Sequence, residues 1–142
     1  NGSLLCELIF PNSITNIYEY ALRYSRIQSI QVPENCNVNP QAFRTANSLK
    51  WLLLPLNFNQ SLNLTNTSLV LECLIDILNK VQDLSDTTSQ TLSFNALQYD
   101  NILNNTFVKK VVDIYEISDD YQSEETISLI EAFNSKNWTI AI

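Results

Sequence analysis

The chain has 142 residues and a single glycine, Gly2. Two-residue hairpin turns require positive φ and so favour glycine, and the loops that cradle phosphates need it for close backbone approach. On this count a sandwich, a barrel, a dinucleotide-binding unit and a P-loop are all disfavoured. Helices need glycine only at their ends, where asparagine can replace it. Asn57, Asn79, Asn104 and Asn134 stand where such stops would fall. The expectation is an all-α domain of about six or seven short helices, set by stripes at three-and-four spacing.

The stripes are as follows. Leu4, Leu5, Leu8 and Ile9 form a short segment ended by Pro11. Ser13 caps a stripe of Ile14, Ile17, Tyr18, Ala21 and Leu22. Ile27 to Val32 alternates and suits a short extended stretch. Asn39-Pro40 opens a helix with Ala42, Phe43, Ala46, Leu49 and Leu53 on one face, stopped by Pro55. Residues 57–67 read as a polar loop. The strongest stripe is Val70, Leu71, Leu74, Ile77, Leu78 and Val81, with Thr67 or Ser68 as cap. Leu92, Ala96, Tyr99 and Leu103 suggest another helix. Phe107, Val108, Val111, Val112 and Tyr115 suggest the next, although so β-branched a run also suits a strand. Ser123 followed by Glu124 and Glu125 reads as a cap with acids in the first turn, leading into Ile127, Ile130 and Phe133.

The run from Asn101 to Tyr115, then an acidic loop and Glu125 to Ile130, resembles an armadillo/HEAT-type helical repeat. Leu69 to Val81 is similar to the long inner helix of such a unit, and together these segments cover about half of the chain. The glycine common before the second helix is missing; Asn105 or Thr106 stands there. The resemblance implies an armadillo-like α-solenoid segment, the alternative being a compact helical bundle. It further implies a non-catalytic scaffold for protein–protein interaction, a subunit of a large intracellular assembly in nucleus or cytoplasm. Residues 1–142 then form one helical domain, with no initiator methionine and an apolar end at Trp138 to Ile142, as expected of a piece excised from a longer chain.

Composition narrows the chemistry. There is no histidine, which removes the usual general base and the commonest metal ligand. Cys6, Cys36 and Cys73 have neither the even count of a disulfide framework nor zinc-site spacing. No enzymatic activity, cofactor or metal is expected. A net charge of −7 argues against direct nucleic-acid binding, and no stretch has the length of a membrane span. Residues 1–66 carry four basic side chains against three acids, a net of +1, whereas residues 67–142 carry four against twelve, a net of −8. The expected partners are other proteins, basic ones among them. Candidate contact residues are Tyr20, Arg23 and Tyr24, whose types are enriched in binding hot spots, and the acids Asp119, Asp120, Glu124 and Glu125. Sequons at Asn59, Asn63, Asn66, Asn104 and Asn137, with Asn1 a sixth if native, motivate a different reading, a secreted or viral helical-bundle glycoprotein acting as ligand or decoy.

Overall fold

A computed structural model describes residues 7–22, 25–112 and 122–142, with the side chains of 107–112 and 122–126 outside the description. The chain is mixed α/β and built mainly on parallel strands. It is neither all-α nor a helical repeat. The first half carries β1 (Glu7–Ile9), β2 (Asn16–Ile17), β3 (Ser29–Gln31), β4 (Asn37–Val38), β5 (Trp51–Leu53) and β6 (Leu62–Asn63). The second half carries α1 (Leu71–Lys80), β7 (Gln90–Ser93), α2 (Ala96–Asn104), β8 (Thr106–Val112), β9 (Gln122–Ser128), α3 (Leu129–Ser135) and β10 (Trp138–Ala141).

A repeat underlies the first half. Strands β1, β3 and β5 pair in parallel, and Leu8, Ile30 and Leu52 stand opposite one another in the ladder. These positions are 22 residues apart. Three of the four prolines, Pro11, Pro33 and Pro55, follow at the same interval. On the return path β2 pairs with β4 in parallel, Asn16 opposite Asn37 and Ile17 opposite Val38. Each circuit lays one strand beside its predecessor, so residues of like type stack in columns. A period of 22 lies within the roughly 20–29-residue range of solenoid repeats built from one strand and a turn-rich return.

Why the segments 13–25 and 39–54 imitate helices follows from their hydrogen bonds. Ala42 N–H donates to the Asn39 carbonyl, Ala46 to Phe43, and Leu49 to Ala46. One repeat earlier, Ala21 donates to Tyr18 and Ser25 to Leu22. These are successive i to i+3 turns. They bury Ala42, Phe43, Ala46 and Leu49 at helical-looking intervals with no α-helix between. Asn39 does cap, but it caps a turn: its Oδ1 accepts from the Gln41 N–H at 2.8 Å.

The scarcity of glycine is compatible with these sheets because parallel strands need no tight hairpin. Positive φ occurs at Asn35 (57°), Asn57 (63°) and Asn137 (62°), and asparagine tolerates the left-handed region better than other residues with a Cβ. Asn35 and Asn57 are themselves 22 residues apart and each lies two past a stacked proline.

Side-chain amides continue the stack where strands give out. Gln60 accepts the Val38 N–H at 2.7 Å and donates to the Cys36 carbonyl at 2.9 Å, standing in for a strand residue beside β4. Gln90 accepts from both the N–H and the hydroxyl of Ser61, and the Ser61 hydroxyl accepts the Thr91 N–H at 2.9 Å. Beyond this point the strands run β6, β7, β10, all parallel.

Helix α1 matches the strongest stripe, and Cys73, Leu74, Ile77 and Leu78 are buried. Its N-cap is Val70, without a side-chain bond. Ser68 and Thr67 instead bond the carbonyls of Asn47 and Leu64. Helix α2 begins at an Asn95 capping box, and α3 at one formed by Ser128 and Glu131. The supposed helices at 107–115 and from Ser123 are strands β8 and β9 as far as they are described, paired antiparallel from Thr106 opposite Ser128 to Val112 opposite Gln122. β-branched residues prefer such surfaces, which decides the choice left open at Phe107–Val112. The armadillo/HEAT expectation therefore fails at the very segment that carried it. One hydrophobic cluster extends from Ile17 to Trp138, with Phe43, Phe94 and Phe133 fully buried.

Gln60 provides a test of the stack. Gln60→Ala leaves the Val38 N–H and Cys36 carbonyl without their partner, and an unmade buried bond costs about 1–3 kcal/mol. Denaturant unfolding is expected to show a loss in that range, while the exposed substitution Asn134→Ala stays within about 0.5 kcal/mol.

Candidate functional site

Sheet β1-β3-β5 presents two kinds of row. Leu8, Ile30 and Leu52 alternate inward; Ile30 and Leu52 are fully buried. The flanking rows, Glu7-Ser29-Trp51 and Ile9-Gln31-Leu53, point the other way by strand alternation. Ile9 is 62% exposed and Trp51 37%, so two large apolar side chains lie open among polar neighbours. Leu53 is half-buried.

Past the strand ends, the Pro33 and Pro55 corners border a groove of about 640 Å³. Gln31 and Leu53 reach it from the strands, Glu34 and Leu56 from the corners, and Lys80 from the end of α1. A second hollow of about 420 Å³ shares Glu34, Asn35, Pro55 and Leu56 and continues to Gln60. Leu56, 68% exposed, stands between the two. Lys80 pairs with Asp76 at 3.8 Å across one helical turn, a weak, partly exposed contact.

The edge of this sheet at β5 is closed by α1. The Leu52 N–H donates to Cys73 Sγ at 3.3 Å, and the Cys73 thiol faces the Leu52 carbonyl at 3.7 Å. Burial pushes the Cys73 thiol up to about 11; the Leu52 bond opposes this and the Asp76 charge adds to it. A thiol so held is a structural neutral group and not a nucleophile. Cys36 is also buried and raised by desolvation. Lys136 is lowered by burial, against an opposing pull from Asp83, while its ammonium bonds the Leu78 and Val81 carbonyls at the end of α1. Among the described residues no group of three or more histidines, cysteines or acids is placed to hold a metal, and no helix is long and apolar enough to cross a membrane.

The contact residues expected from sequence fare differently. Tyr20 lies in a turn at φ 56°, not on a helix face. Its hydroxyl accepts from Arg44 at 3.3 Å, one repeat on, and its N–H meets the Gln41 carbonyl. Arg23, Tyr24, Asp119 and Asp120 lie outside the described residues. Glu124 and Glu125 fall in β9, opposite Lys110 and Lys109 in register, and not in the first turn of a helix. The open face holding Ile9, Trp51 and Leu53 was not singled out by the helical stripes. The signal that reveals it is the 22-residue recurrence of proline with an apolar residue three before it, Leu8, Ile30 and Leu52.

No family model matches this chain, nor does any curated protein or solved structure.

The Cys73 environment sets a pH dependence. The folded thiol ionises later than an unfolded one near 9, so its contribution to stability is complete below pH 9 and is lost as pH rises through about 11. The loss is on the order of 2–3 kcal/mol. Cys73→Ser keeps an acceptor for the Leu52 N–H and does not titrate. Unfolding curves from pH 8 to 11 are expected to fall more steeply for wild type than for this variant.

Proposed function

We propose that the chain is a non-catalytic scaffold that binds a partner protein across the outward face of sheet β1-β3-β5. The observation that carries this is the exposure of Ile9 and Trp51 on aligned strands, interleaved with Ser29, Gln31 and Glu7. A flat ladder with an aromatic anchor inside a polar surround is the anatomy of an interface centre. The adjoining groove supplies a recess for a side chain of the partner. Stacked repeats suit this role because every circuit adds another row to one continuous surface. Placement in a large intracellular assembly rested on the helical-repeat resemblance and has no other support. Binding thus moves from a helix face around Tyr20 and Arg23 to a sheet face around Trp51.

The test is a photo-crosslinking residue introduced at Gln31 or, as control, at Asn134, in cells that make the protein natively. Gln31 is expected to capture a defined partner and Asn134 not. Trp51→Ala should then weaken that complex about tenfold or more, as expected of a hot-spot aromatic, with the melting temperature little changed. Equal capture at both positions, or unchanged affinity in Trp51→Ala, would refute the assignment.

A further inference from the structure

The five sequons among the described residues differ in what the fold does with their amide nitrogens; the sixth, Asn1-Gly2-Ser3, lies outside them. Asn137 uses both hydrogens of Nδ2, donating to the Leu84 and Thr87 carbonyls at 3.0 Å each. An attached sugar removes one of those hydrogens and must occupy the space where residues 84–87 lie. Asn63 sits in β6, its Nδ2 donating to Gln41 at 3.2 Å and its Oδ1 accepting from the Thr65 N–H and hydroxyl. The Thr65 hydroxyl, which completes the sequon, is thereby engaged at 2.6 Å. Asn59 is exposed, but its Nδ2 donates to Gln82 at 3.3 Å, and its half-buried sequon hydroxyl, Ser61, is held between Gln90 and the Thr91 N–H inside the amide stack.

Asn66 and Asn104 are unlike these three. Asn66 is exposed on the turn after β6, closed by the Thr67 N–H to Leu64 carbonyl bond; its sequon hydroxyl Ser68 donates to the Asn47 carbonyl at 2.7 Å but is exposed, so the difference from the other three lies in the free Asn66 amide. Asn104 is the exposed last residue of α2, and Thr106 beyond it is exposed at the start of β8. Neither amide is engaged elsewhere in the described structure.

We infer that Asn66 and Asn104 are acceptors for N-linked glycosylation, and that Asn59, Asn63 and Asn137 are closed to it by the fold. The donor class is an oligosaccharide linked to a lipid diphosphate. Nδ2 forms a bond to sugar C1 and gives up one proton. The C1–O bond to the diphosphate breaks, and the lipid diphosphate leaves with the electron pair. The assignment is independent of the binding face: the Asn66 turn is tied to Asn47 and Leu49, ahead of β5.

The experiment incubates the purified folded chain, and the same chain in urea tolerated by the enzyme, with an oligosaccharyltransferase and its lipid-linked donor. Occupancy is read by peptide mass spectrometry, with circular dichroism to establish the folded state. Of the five described sequons, the folded chain is expected to carry sugar at Asn66 and Asn104 alone, and Asn66→Gln and Asn104→Gln each to remove one gel-mobility step. The unfolded chain is expected to gain sugar at Asn63 and Asn137 as well. An empty Asn66 or Asn104 on the folded chain would overturn the inference. So would sugar at Asn59, Asn63 or Asn137 on a chain that keeps its fold, or failure of Asn63 and Asn137 to react when unfolded.

Discussion

The rest of the structure depends on vertical registry: like residues stacked 22 apart in parallel ladders. Leu8 over Ile30 over Leu52 builds an apolar column, and neighbouring columns of turns bring Ala42, Phe43 and Leu49 into the same interior. A single circuit of this kind cannot bury its own apolar row, so stability arises between circuits. That is why polar side chains also stack. Gln60, Ser61 and Gln90 satisfy backbone groups that would otherwise lack a ladder partner, and leaving such groups unpaired costs more than the bond itself contributes.

Registry also determines where the stack changes character. After β5 the next layer is helix α1, which closes the sheet edge through Cys73 and the Leu52 backbone. Covering an edge in this way removes a template for unwanted strand pairing. The helix end is in turn tied by Lys136 to its final carbonyls, and Trp138 donates to the Gln82 carbonyl at 2.8 Å. The open face of β1, β3 and β5 is therefore mounted on a frame fixed from several sides.

Much of the second half is legible in sequence. The stripe from Val70 to Val81 is α1, a true 3.6-residue period; the helix expected from Leu92, Ala96, Tyr99 and Leu103 exists as α2, but Leu92 lies in β7 and the face α2 buries carries Gln98 and Ile102 instead of the stripe. Ile27 to Val32 is extended, as its alternation indicates, and contains β3. The first half misleads for a definite reason. Turns that step by three residues, such as Asn39 to Ala42 and Phe43 to Ala46, give the same short-range spacing as a helix. Local periodicity does not separate the two; the longer recurrence of Pro11, Pro33 and Pro55 does. The single glycine argues against two-residue hairpin turns, but neither against parallel sheets nor against the antiparallel pair of β8 and β9. Of the contact residues, Tyr20 lies in a turn and Glu124 and Glu125 in a strand, so the helical setting expected for them is not the one they have.

The central claim is the 22-residue parallel registry, and nuclear Overhauser contacts between backbone protons test it most directly. Resonances of Ile30 are expected to show contacts to strand β1 around Leu8 and to β5 around Leu52, the partners on either side of it in the ladder. Sequential α-proton to amide contacts should be strong through Ser29–Gln31 and Trp51–Leu53, as in extended chain. Contacts from each residue to the third and fourth beyond it across 13–25 and 39–54, with none between positions 22 apart, would contradict the account and restore a helical architecture.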